Sequence, residues 1–378
     1  IITTWNAGSP LAVPAEALPT TEGVYHLAGG LRRESIYPVV QGYKNSPAVG
    51  LRANFSDRLQ LNRLFVSASY SPDTGLPSGE RPHVMAGYDR YDWRVRAGFN
   101  SADFYDLFGP TKVGRKGYHA LIGHKNLLIY DEPRRLDLDV SGRLDAGIDR
   151  LPDYQNVPVR VDRLYGAEAT LQYSDVRNSL GYVDEETGVR WSTTLETQIV
   201  DGLAVPRALA SYDRGLATPL PHSSVWLRGA VGAAARDRAR PFANFYFGGF
   251  GNNYVDHGDE KRYRQYYAFP GEPLNSVGGR NFARATLEWN LPPWRFARLG
   301  TPGFYASWLR PAVFVSGLAT DLEAGEVRRG LGSAGAQLDV RLAVLSELEM
   351  TFSAGAAIAF EDGRGPRHEL MISLKVLR

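Results

Sequence analysis

Seven histidines (His26, His83, His119, His124, His222, His257 and His368) are potential metal ligands and proton carriers. None shows the spacing of a metalloprotease helix, and only His119 and His124 lie close together. On a strand, a separation of five places those two on opposite faces. The string GLGSAG (330–335) has dinucleotide-binding spacing, but a β-alternating segment follows where that motif needs a helix. Gly-x-Ser-x-Gly does not occur, so a serine-hydrolase elbow is unsupported. Cysteine is absent, which removes disulfides, thiolate nucleophiles and sulfur metal sites together. The acidic run DHGDE (256–260) offers oxygen ligands but lacks the loop spacing of a calcium site, and it reads as solvated. The sequence therefore points away from an enzyme, with no cofactor and no metal expected.

The elements that carry these residues share one pattern. Apolar and polar residues alternate in segments of roughly nine to fifteen residues, separated by turn chemistry. From Val189 to Ile199 one face carries Val189, Trp191, Leu195 and Ile199, and the other Arg190, Ser192, Thr194, Glu196 and Gln198. The second face cannot line a dry core. About fifteen such segments, with a weaker one near 35–43, predict an all-β chain of about sixteen antiparallel strands. Short turns alternate with long polar connections at 71–82, 100–117, 149–161, 236–279 and 321–330, the habit of a transmembrane β-barrel. The connection after Ser174 breaks the scheme, being long where a short turn is due. No apolar run reaches the length of a membrane helix, but a barrel strand needs only about ten residues with alternate ones apolar.

Charge and aromatic placement agree. The net charge of +2 is scattered, so nucleic acid is not an expected partner. Tyr88, Tyr91, Trp93, Tyr130, Trp289, Trp294, Tyr305 and Trp308 sit at strand ends, where interfacial girdles are found. Arg94, Arg96, Asp137, Asp139, Arg143, Glu196 and Arg341 fall on inward positions and suit a hydrated lumen. Residues 1–30 read as a lead-in from a missing N-terminal domain, and residues 31–378 as the barrel.

Two stretches carry a resemblance. PFANFYFGGFGNN (241–253), a long polar loop, and then VGGRNFARATLEWNLPP (277–293) resemble the BamA-like outer-membrane barrel superfamily, also called the bacterial surface antigen family. In that family a Gly-Gly segment opens a long extracellular loop that folds back into the lumen, followed by a strand bearing a glutamate. DFYDLFGPTKVGRKGY (103–118), YRQYYAFPG (263–271) and EWNLPPWRF (288–296) are similar to the barrel half of proteins in which a TolB-like, WD-repeat-like propeller precedes the barrel. The resemblance places the loop between the eleventh and twelfth of sixteen strands. It implies a loop motif of Gly248, Gly249, Phe250, Arg264, Phe269, Pro270 and Gly271, with Glu288 as the partner on the lumen wall. The family's Arg-Gly-aromatic motif is missing after GGF, and Ser316 stands where an aspartate is common. Arg264 is the nearest substitute, since a guanidinium fork and a carboxylate make a directional, charge-assisted pair.

What the resemblance implies about activity is mechanical: a bacterial outer-membrane barrel that inserts, translocates or exports a polypeptide, including its own N-terminal domain. Its surroundings would be outer-membrane lipids and lipopolysaccharide, and its cargo a periplasmic or secreted polypeptide. The seam would lie between the first strand, with Tyr37, Val39 and Gln41, and the last, with Ile372, Leu374 and Val376. Pro38 and Gly42 would weaken the ladder there. The alternative is a passive plugged pore, or an anchor that displays its loops or an upstream module.

Overall fold

The computed structural model describes residues 30–44, 46–102, 114–235, 239–250, 261–345 and 348–376. The strands are β1 Arg32–Tyr43, β2 Ser46–Ser56, β3 Asn62–Tyr70, β4 Pro82–Arg90, β5 Trp93–Ser101, β6 Arg115–Asp131, β7 Arg134–Leu151, β8 Tyr154–Arg177, β9 Thr187–Val200, β10 Leu203–Ala217 and β11 Ser224–Ala234. After these come the short β12 Phe245–Phe247 and β13 Val277–Gly279, then β14 Asn281–Asn290, β15 Trp294–Thr301, β16 Phe304–Thr320, β17 Arg329–Val344, β18 Leu348–Glu361 and β19 Arg367–Val376.

Apart from β12 and β13, the strands form one antiparallel sheet in chain order. β1 pairs with β2, and the ladder runs without a break to β11, which pairs with β14. β14 and β15 occupy one place in the sheet. Asn290 lies opposite Ala312 and Trp294 opposite Leu309 along the same β16. Pro292 and Pro293 donate no hydrogen bond and interrupt the ladder between them. Among the described residues, seventeen hydrogen-bonded strands therefore fill sixteen positions, the number the alternation predicts. Among the described residues no backbone pairing joins β1 to β19.

Side-chain exposure is inverted relative to a soluble sheet. On β9 and β14 the exposed residues include Leu195 (59%) and Leu287 (48%), whereas Gln198 (3%) and Glu288 (0%) are buried. Along β19, Leu370 and Ile372 point outward and Met371 and Ser373 inward. An apolar outer band over a polar interior is what a membrane-spanning barrel requires, since lipid replaces the water that would penalise that band. Tyr91, Trp93, Tyr130, Trp289 and Trp294 are exposed at strand ends. Trp308 departs from the girdle: it lies opposite Arg341, with the Arg310 and Arg341 guanidiniums over its ring at 5.0 and 5.4 Å, so it belongs to the inner face.

The long β3–β4, β5–β6, β11–β14 and β16–β17 connections lie on one rim, here the loop rim, together with the two-residue hairpins after β1, β7 and β9; the other is the turn rim. One expected long connection is not one. β8 begins at Tyr154, so 149–161 is mostly strand, and the hairpin is closed by Pro152 and Asp153. Irregular register between Ile148 and Leu151 hid it from a strict alternation. Beyond Leu164, where β9 stops pairing, this hairpin folds over the lumen, and Leu151, Tyr154 and Val157 pack on Phe242. The connection after Ser174 is long, as the sequence indicates, because β8 runs to Arg177 and β9 begins only at Thr187. It lies on the turn rim.

Candidate functional site

The connection between β11 and β14 folds into the lumen. Its two arms pair as β12 and β13, with Phe245 opposite Gly279 and Phe247 opposite Val277. Further along, Phe269 N–H donates to the Gly249 carbonyl (3.0 Å) and Gly249 N–H to the Glu272 carbonyl (2.8 Å). Two glycines are required by close approach. Gly248, at φ +142°, would place a Cβ 2.0 Å from the Pro273 carbonyl oxygen, and Gly271, at φ +96°, would place one 2.5 Å from the Ala359 nitrogen. Both obstacles are backbone, so neither can yield cheaply.

Apolar side chains seat the arms. Phe245, Phe247 and Phe269 pack with Phe282, Leu318, Leu331 and Ala359 from β14, β16, β17 and β18. Phe250 joins Tyr263, Phe314 and Met371, and the Tyr263 ring stacks on Phe314 at 4.2 Å. Each such ring buries enough apolar surface to contribute about 1.5–3 kcal/mol, so the seat is firm before any charge is considered.

The tip carries the charges. Arg264 meets Glu288 through both Nε (3.0 Å) and Nη2 (2.5 Å), and its Nη2 also reaches Asp184 at 2.7 Å. Glu288 further accepts from Arg228 Nε (2.9 Å), and Arg228 bonds Asp213 (2.7 Å). Lys261 contacts Asp184 at 3.0 Å and the Asn290 side chain. Arg310 bridges Asp184 (3.3 Å) and Asp339 (3.1 Å). Four cations thus face four carboxylates, in a cluster where Glu288 and Asp339 have no exposed surface. Burial alone would raise the Asp184 carboxyl, but Arg264, Lys261 and Arg310 beside it hold it well below the usual carboxylate range. Burial, together with Arg310, pushes the Lys261 ammonium down to about 8. From the β14 wall, Arg284 donates to the Tyr263 and Gln265 carbonyls at 2.8 and 3.0 Å and fixes the tip backbone.

A second anchor lies on the last strand. Glu369 of β19 accepts Gly271 N–H (2.8 Å) and Phe250 N–H (3.2 Å), while Arg367 pairs with Glu272. The Pro270 carbonyl accepts the Ser333 hydroxyl of β17 at 2.5 Å. A third contact reaches β8, where Asn156 Nδ2 donates to the Leu274 carbonyl at 2.7 Å. Beside it, a cavity of about 220 Å³ remains between loop and wall, lined by Asp153, Glu168, Glu196, Arg207, Tyr154 and Tyr266 among others.

The structure thus brings together Gly248, Gly249, Phe250, Phe269, Pro270 and Gly271 in one seat, and Arg264 with Glu288 in another. It does not bring the two seam groups into backbone register. Tyr37, Val39 and Gln41 pair with Arg52, Gly50 and Ala48 of β2, while Ile372, Leu374 and Val376 pair with Ala354, Phe352 and Met350 of β18. Gln41 bonds inward, to Ala102 and Ser69. Ser316 takes no ionic part; its hydroxyl meets Thr286 at 2.8 Å. Residues 103–113 and the acidic run 256–260 lie outside the described residues. Asp184, Lys261, Arg310 and Glu369 are site residues the sequence reading missed. Glu369 carried one signal, a carboxylate on the inner face of a strand otherwise apolar outside.

One constellation invites a catalytic reading. Ser179, His222 and Glu186 gather at the turn rim, with Nδ1 of His222 3.1 Å from the Ser179 hydroxyl and 2.8 Å from Glu186. Serine and glutamate share one ring nitrogen, and the serine hydroxyl itself bonds Glu186 (2.9 Å). A proton relay needs them on opposite nitrogens, so this group fastens the connection instead of activating a nucleophile.

No family model matches the chain, and no curated protein does. Among solved structures the chain is similar to BamA from Haemophilus ducreyi lacking POTRA domains 1-3, at 13% identity and a TM-score of 0.47, over 90% of this chain and 70% of that one. It is also similar to CdiB from Acinetobacter baumannii, at 11% identity and a TM-score of 0.46, over 92% of this chain and 60% of that one.

Proposed function

We propose that the chain is a bacterial outer-membrane barrel that acts on polypeptides, in insertion, translocation or export, with the lumen loop as the part that governs its state. The observation that carries the reading is the second anchor. The loop grips β19 through Glu369, Arg367 and Met371, so the segment that fills the lumen also restrains a terminal strand. A barrel wall that must open sideways needs such a coupling, and a plain pore does not. In this reading the loop rim faces outside and the turn rim the periplasm. The seam between the strands carrying Tyr37, Val39 and Gln41 and those carrying Ile372, Leu374 and Val376 is the lateral opening.

The test is insertion of an unfolded barrel polypeptide into phospholipid vesicles that contain the chain. Cysteines on β1 and β19 are cross-linked across the seam, which is clean because the chain has no cysteine of its own. Loss of insertion on cross-linking, and recovery on cleaving the link, is the expected result. Undiminished insertion with the seam locked contradicts the lateral opening. A second reading, a passive plugged barrel or anchor, is favoured by the density of the loop's seat. It is the outcome if vesicles with and without the chain insert the polypeptide equally.

A further inference from the structure

We propose that the β8–β9 connection (178–186) is a latch that holds the lumen loop shut from the opposite rim, with Asp184 as its catch. The inference rests on the reading of the loop as a plug.

Three observations carry it. First, this connection is the longest on the turn rim among the described residues, and its length is used to turn inward. Second, it holds the loop directly. Asp184 reaches Arg264 at 2.7 Å and Lys261 at 3.0 Å, two cations of the loop tip, and Arg310 of the wall at 3.3 Å. Its neighbours hold the wall. The Val183 carbonyl accepts from Arg310 (2.8 Å), and the Glu185 carbonyl accepts from Trp226 Nε1 (3.2 Å). Third, the same segment is reachable from the turn side. Leu180 is fully exposed and Tyr182 is half exposed, while Glu186 ties the base of the segment to His222 of the next connection. A displacement of Leu180 and Tyr182 would therefore be transmitted over a few residues to the carboxylate that holds the loop tip.

Charge balance gives the latch its leverage. With Asp184 in place, Lys261, Arg264, Arg310 and Arg228 each face a carboxylate, and Arg284 lies beside them on loop carbonyls. Without it, Lys261, Arg264 and Arg310 have only Glu288, shared with Arg228, and Asp339, so positive charge is left in excess in a largely buried site. The wall cannot move to relieve this, whereas the loop tip can. The loop is thus held by β8, β14, β17 and β19 of the wall and by one connection, which Leu180 and Tyr182 leave open to an agent at the turn rim. Such an agent shifts the equilibrium only as far as it binds the displaced connection better than the seated one.

The experiment is single-channel conductance of the purified full chain in planar bilayers. Wild type is compared with Asp184→Asn, Asp184→Glu, Lys261→Met, and a chain whose residues 248–278 are replaced by a short glycine–serine link. The latch predicts rare openings in wild type and a rise of about ten- to a hundredfold in open time for D184N, the factor expected from losing a buried charge-assisted bond. It predicts a smaller rise for K261M and a return toward wild type for D184E. If D184N does not insert, K261M against wild type decides: a rise supports the latch and no change overturns it. A large pore in the loop-replaced chain together with an unchanged D184N overturns the latch and leaves the plug standing. No change on loop replacement overturns the plug itself.

Discussion

The two halves of the lumen use the same residue types to different ends. Along β1 to β7 the inner face carries Arg94 bonded to Asp139 at 2.5 Å and Arg96 to Asp89 at 2.7 Å, with side chains 28–40% exposed. Along β9 to β19 the pairs around Arg264, Glu288, Arg228 and Asp339 are covered by the loop. The first half is wet beneath a rim closed by the β1–β2 hairpin, where Lys44 reaches Glu80 and Asp149 at 2.7 and 2.8 Å. The second is packed. Water screens the first set until each pair contributes little, while its exclusion makes every partner in the second set indispensable. Distance alone does not rank these contacts; burial does.

The comparison breaks most sharply at Glu288. Glu288→Ala should leave Arg228, Arg264 and Lys261 facing one another and cost about 3–5 kcal/mol, the usual penalty for orphaning a buried charge. Urea unfolding of the refolded barrel, followed by its gel mobility shift, reads this loss. An unchanged midpoint would mean that the cluster is hydrated like the other half.

Glu369→Ala comes next. It deprives the Gly271 and Phe250 amides of their acceptor, at about 1–3 kcal/mol for a buried group left unpaired. The loss is expected in loop attachment more than in the barrel, and protease cleavage within 248–278 should quicken while the wall stays intact.

Acid should separate the halves as well. Asp184 titrates well below the usual range, so its stabilising contribution is fully present above its ordinary value of about 4 and is lost only as pH falls through the lower folded value. The wild-type advantage over D184N in urea midpoint should therefore persist at pH 5 and shrink below pH 4. Lys261 has the opposite sign. Its folded value of about 8 lies below the ordinary value near 10.4, so the unfolded chain binds more protons across that window and this contribution rises with pH.

The smallest effect belongs to the wet half. Arg94→Ala should cost about 1 kcal/mol or less, despite a bidentate pair with Asp139. A loss as large as that at Glu288 would dissolve the distinction drawn between the halves.

How much was legible follows from what each feature depends on. Alternation is local, so strand number, the inward face and the polar character of Glu196 and Gln198 could be read from neighbours along the chain. The loop's glycines were legible because a segment doubling back needs them at its turns, whereas Phe269 was reached through the resemblance. Arg264 and Glu288 were reached as a pair through the resemblance, which sets a loop arginine against a carboxylate on the lumen wall. Asp184 was hidden. Its segment was conspicuous only as a connection of the wrong length, and its role depends on a loop entering from the far rim to meet it. The starts of β8 and β15 were obscured by bulges and by Pro292 and Pro293, which spoil the period that reveals strands. Trp308 was misplaced because a bulge between Ala306 and its own position alters the alternation there.

The most direct test of the central claim, that the β11–β14 loop plugs the lumen, is the conductance of the chain with residues 248–278 replaced by a short link. A steady pore several times larger than the rare, flickering openings of the intact chain is the predicted result. An intact chain that already conducts as a wide, steady pore would contradict it.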